Sequence, residues 1–169
     1  SEAAGVDVKY IVSDVLQIPP EALQPQYDIV FAELGILHYF TDLAPFFKTA
    51  FALLKEGGRF VLRDFHPVST KLISSRGSTA KIRKHKVDGD YFDTSLEEKE
   101  VSFAKYLPDG MVTETSKVYW RRWTLGEVVT AVAEVGLTVK LLREEPNLSS
   151  EVFDKGIPKT YTLVADKKQ

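Results

Sequence analysis

The chain has 169 residues, 44% of them hydrophobic, a formal net charge of −2 and no cysteine. That length and apolar share suffice for one domain with a sizeable core, and the near-balanced charge gives no case for nucleic acid or an anionic membrane as partner. The lack of cysteine excludes internal disulfides and thiolate metal sites, and fits the cytoplasm as well as a disulfide-free secreted protein; no apolar run reaches the ~20 residues of a membrane-spanning helix.

Residues 8–12 (VKYIV) are β-branched and aromatic, stop at Ser13-Asp14, and read as a strand. Residues 17–26 (QIPPEALQPQ) carry three prolines and predict a loop with at most a short helical turn. Residues 27–31 (YDIVF) are apolar apart from Asp28, the pattern of a strand covered on both faces. Thr41 or Asp42 can cap a helix running to about Leu54, with Leu43, Phe46, Phe47, Ala50, Phe51 and Leu54 at helical spacing. Gly57-Gly58 ends that helix in a left-handed turn, and residues 59–62 (RFVL) form the next strand, leading into Arg63-Asp64-Phe65-His66-Pro67.

Residues 68–118 are charge-rich and turn-rich, and read as an insertion over one end of the sheet. Two turns, Asp88-Gly89 and Pro108-Asp109-Gly110, separate alternating segments, with 101–107 and 111–118 expected to pair as an antiparallel hairpin. Thr124 caps a helix to about Val135 that Gly136 closes, and residues 137–142 and 161–165 are two closing strands. The alternation of strands and helices predicts an α/β fold of Rossmann type with an antiparallel β insertion.

In such sheets the cofactor chemistry sits at a Gly-rich turn after the first strand, and no such turn precedes Tyr27. The order of segments nevertheless resembles the class I S-adenosylmethionine-dependent methyltransferases, in their small-molecule group. "LLKEGGRFVL" corresponds to that family's "vLkpGGrlvl", "LHYFTD" to a segment after its fourth strand, and "DFHP" to a His-Pro variant after its fifth. The resemblance covers most of the chain and rests on order and spacing, since each piece alone is common. It implies a sheet order of 3-2-1-4-5-7-6, with residues 8–12 as strand three, 27–31 as four, 59–62 as five, 137–142 as six and 161–165 as seven. It further implies that strands one and two and the Gly-rich loop are absent from this chain, so that methyl transfer from S-adenosylmethionine belongs to a parent protein and the chain alone is inactive. With those strands gone the edge of strand four is open, and a homodimer through that edge is the natural soluble outcome.

The resemblance also assigns candidate residues. Asp14 and Val15 would hold the adenine; the plain alternative is an Asp capping a turn. Glu33, Leu34 and Gly35 would border the cofactor where it meets substrate, although Glu33 also reads as a solvated loop carboxylate. His38 and His66 follow strand ends on the ligand side and are candidate bases or substrate contacts, against the more ordinary role of a His bonded to nearby backbone. Tyr91, Trp120, Arg121 and Trp123 flank the predicted hairpin and could close over a substrate, or instead anchor the insertion on the sheet. The basic run at 81–86 (KIRKHK) reads as a solvated loop, because no base-stacking aromatics accompany it, and no His or carboxylate pair has metal-ligand spacing. A non-enzymatic binding or assembly domain that has lost its cofactor site is the alternative reading of the whole.

Overall fold

The apolar runs of the sequence become one mixed sheet with two helices on a single face. The structure, a computed structural model, describes residues 5–75, 85–101, 115–146 and 156–168. In chain order the elements are β1 (Tyr27–Glu33), α1 (Ala44–Leu53), β2 (Leu54–Phe65), β3 (Ile73–Ser75), β4 (His85–Val87), β5 (Leu96–Val101), β6 (Ser116–Arg121), α2 (Leu125–Glu134), β7 (Leu137–Pro146) and β8 (Pro158–Lys167). The main sheet runs β1-β2-β8-β7, while β3-β4 and β5-β6 are separate antiparallel pairs. β1 and β2 are parallel, as a strand–helix–strand crossover demands, and β8 lies antiparallel to both β2 and β7.

The strand pleat decides which side chains reach the helices. On β2, Phe60 and Leu62 point to the covered face with Leu163 and Ala165 of β8, and all four are fully buried. Phe46, Phe47 and Ala50 of α1 and Val128 and Val132 of α2 close over them. The opposite face is bare: Ile29 and Phe31 of β1, Phe65 of β2 and Leu141 of β7 are exposed. β1 is an edge strand of this order among the described strands, and its uncovered face is apolar.

Local chemistry sets the element ends. Asp42 accepts the backbone N–H of Ala44 at 2.9 Å, which satisfies a free donor at the start of α1. After α1 the chain loops through Gly57 at φ 74°, and a side chain at Gly58 would meet the Lys55 carbonyl at 2.9 Å and the Tyr27 carbonyl at 3.2 Å. Only glycine fits that pinch between helix and strand. Thr124 and Glu127 form a reciprocal capping box at the start of α2.

The spatial order of the expected strands four, five, seven and six is the order β1-β2-β8-β7. Expected strand three is a different matter: residues 8–12 are in no strand and largely exposed, with Tyr10 77% accessible. Their alternating composition favours extended chain, but a strand is held by its neighbours and these residues pair with none of the described strands. The pairing expected of 101–107 with 111–118 is seen only at its base, where β5 meets β6 and Val101 pairs with Ser116; residues 102–114, with the second predicted turn, lie outside the described residues, as do 81–84 of the basic run.

Candidate functional site

The carboxyl ends of β1 and β2 open into a cavity of about 400 Å³ between the sheet and β6. Leu37, His38, Asp64, Phe65, Trp120, Arg121, Trp123 and Tyr161 are among the residues lining it. Clefts of this size at the carboxyl edge of an α/β sheet are where small ligands bind.

Its floor is built by the turn out of β1. Leu34 at φ 43° and Gly35 at φ 78° reverse the chain in two left-handed steps. Gly35 takes this conformation freely and Leu34 does so at a cost. Asp64 fixes the reversal: one carboxylate oxygen accepts the N–H groups of Gly35 at 2.8 Å and Phe65 at 2.7 Å, and the other accepts that of Leu37 at a long 3.4 Å. Asp64 is only 6% accessible, and none of the ion pairs among the described residues includes it. Directly across the β2–β8 ladder stands Tyr161, whose phenol is pushed well above its ordinary range by burial and, to a lesser degree, by the Asp64 charge.

His38 rides on the 3-10 turn Leu37–Tyr39 that follows. Its ring centre lies 4.3 Å from that of Trp120 on β6. His38 Nε2 and Trp120 Nε1 are both buried without a hydrogen-bond partner. Burial holds the imidazole pKa below its usual value; Asp64 acts against this and Arg122 with it. The imidazole is thus biased to its neutral form.

The wall above the floor is tied down by its own polar groups. Trp123 Nε1 donates to the carbonyls of Leu37 at 3.1 Å and Phe40 at 3.2 Å, which clamps the 3-10 turn. Arg121 stacks 3.5 Å from the Trp123 ring centre and donates to Glu127 at 2.7 Å. Arg122 pairs with Glu97 at 2.8 Å and donates to the Thr70 carbonyl. Beneath it the buried Lys71 donates to the carbonyls of Asp93 and Arg122, and burial lowers its pKa. Of the four residues expected at a substrate lid, Trp120, Arg121 and Trp123 line the cavity. Tyr91 does not: its hydroxyl accepts the Leu125 N–H at the start of α2.

His66 stands apart from His38. Its Nδ1 accepts the Val68 N–H at 3.1 Å, so Nε2 carries the proton of the neutral ring and donates to Glu144 at 2.7 Å. Both nitrogens are occupied and the side chain is buried, which makes His66 a brace between the β2 exit and β7.

The residues expected to hold S-adenosylmethionine are not brought together. Val15 faces a hollow shared with Tyr27 and Leu53, at the amino end of β1. Glu33, Leu34 and Gly35 are at the carboxyl end of that seven-residue strand, about 20 Å away. Asp14 spends its carboxylate on its own turn, accepting the Leu16 N–H at 2.9 Å, and Glu33 pairs with Arg63 at 3.3 Å. The described residues of this chain therefore do not by themselves fit the cofactor. They do build a cavity large enough for a small ligand. Asp64 and Tyr161, which carry its floor, were not singled out from sequence, although Asp64 falls in phase with the buried Phe60 and Leu62 on a strand. A carboxylate at a core-facing position is the signal that could have found it.

No family model and no curated protein matches the chain. Its fold does match solved structures. An S-adenosylmethionine-dependent methyltransferase from Mesorhizobium loti superposes with a TM-score of 0.65 at 22% identity, over 97% of this chain and 73% of that one. One from Clostridium acetobutylicum gives 0.62 at 12% identity, over 99% and 68%. The chain thus has an α/β methyltransferase fold, with a mixed sheet and separate antiparallel pairs.

Proposed function

We propose that the protein carrying this chain transfers a methyl group from S-adenosylmethionine to a small molecule, and that this chain supplies the acceptor side of the site. The observation that carries the reading is the aromatic-walled cavity of about 400 Å³ at the carboxyl edge of a methyltransferase-type sheet. When bound, the sulfonium cofactor supplies an electrophilic methyl group, and such a transfer needs chiefly an oriented acceptor and the exclusion of water. The residues of this chain are suited to those two tasks. Asp64 and the Trp123 clamp fix the floor, Trp120 and Phe65 wall it, and a neutral His38 beside the floor is able to accept a proton from an oxygen or nitrogen acceptor.

The dispersal of Asp14 and Val15 from Glu33–Gly35 favours a second reading, a binding or assembly domain without methyl transfer. Calorimetric titration of S-adenosylhomocysteine into the full gene product, with the 169-residue chain as control, separates the two. Binding by the full product and none by the chain is the expected result. Silence from both overturns the methyltransferase reading and leaves the assembly domain.

A further inference from the structure

The charge arrangement in the cavity is lopsided. Asp64 sits at its floor, nearly buried, and its charge is met by three backbone N–H groups and no cation among the ion pairs of the described residues. One of its oxygens holds only the 3.4 Å contact with the Leu37 N–H, so it keeps lone pairs to offer. The two guanidiniums that border the cavity are already engaged, Arg121 by Glu127 and Arg122 by Glu97. The rings of Trp120, Phe65 and Tyr161 line the same cavity as the carboxylate. A buried carboxylate with spare acceptor capacity, walled by aromatic faces, is short of one partner: a positive charge carried on an apolar body.

We infer that the cavity takes a cationic amine, with Asp64 as the anchor of its ammonium group and the aromatic walls as the bed for its planar or apolar remainder. The inference rests on reading the cavity as the acceptor site, and it names the acceptor class as a primary or secondary amine. The bound ammonium would give up a proton to His38, whose Nε2 has no other partner among the described residues. The freed nitrogen lone pair would then form the N–C bond as the sulfonium's S–C bond breaks. A carboxylate ligand would meet Asp64 as a like charge. An alcohol would gain a hydrogen bond there but not the charge.

Three probes on one naphthalene body decide the matter on the chain itself, without cofactor or turnover: naphthylmethylamine, naphthylmethanol and naphthoate, each titrated calorimetrically at neutral pH. The amine is expected to bind about tenfold tighter than the alcohol, and the acid most weakly. In Asp64→Asn the amine's advantage over the alcohol is expected to fall to within about twofold. Equal binding of amine and alcohol by the wild type overturns the inference, as does an advantage that survives in Asp64→Asn. Tightest binding by the acid also overturns it, and points to the arginines instead. The three wild-type titrations stand even if the variant does not fold. Because none of them involves a sulfonium, their failure leaves the homocysteine titration as an independent judge of methyl transfer.

Discussion

His38 is the residue on which burial and function pull in different directions. Its Nε2 has no partner inside the protein, and its proton affinity is lowered chiefly by burial. The unfolded imidazole keeps its ordinary pKa near 6.5, so below that pH the unfolded chain binds the proton that the folded chain resists. Stability from this group is whole above about pH 6.5 and is lost as the pH falls further. Replacing His38 by Phe keeps the ring against Trp120 and removes the orphaned nitrogen. Urea unfolding is expected to show no loss of stability at pH 7, and a smaller loss between pH 7 and pH 5 than the wild type suffers. The position of His38 was legible in the sequence, since it follows a strand end on the ligand side. Its partner was not: Trp120 comes from a segment 82 positions on, and only the folding of β6 over the turn places the two rings together. His66 shows the converse, a residue of the right type near the right edge whose two nitrogens are consumed by Val68 and Glu144.

Among the elements, those whose apolar period matches a face were readable. α1 and α2 announce themselves by spacing and by Asp42 and Thr124 at their starts, and β2 by the Gly-Gly turn that precedes its core run. The turn is also the place to test the reading. A methyl group at Gly58 would press on two carbonyl oxygens that belong to the helix exit and to β1, neither of which has a flexible side chain to move. Gly58→Ala is expected to cost about 1–3 kcal/mol in chemical denaturation. An unchanged midpoint would show that the β1–β2 register tolerates a shift there. Residues 8–12 failed as a strand for a reason composition does not hold: a strand is held by a partner in register, and these residues pair with neither edge of the described sheet.

At the scale of the whole molecule the sheet has one face covered by helices and one bare. Among the described strands β1 ends it with an open row of backbone groups, flanked by Ile29, 62% accessible, and Phe31, 58% accessible. An apolar edge of this kind pairs with other chains. Sedimentation velocity of the 169-residue chain is expected to show self-association at micromolar concentration, and Phe31→Lys to shift it toward monomer with little change in thermal stability. A monomeric wild type would show the edge to be protected in some other way.

The interior place of β8 has a consequence of its own. Synthesis delivers the strands in order, yet the sheet does not assemble in that order. β7 emerges with its hydrogen-bonding partner still unmade, and β2 likewise waits from Phe65 back to Arg59 for strand residues up to 107 positions later, including the Arg59–Asp166 ion pair. Two of the three pairings among these four strands are therefore conditional on β8, the last of the four to be made, and until then β2 and β7 each hold an unzipped flank. A ribosome stalled before Pro158 would present a chaperone with three of these four strands made and, among them, only β1 and β2 paired.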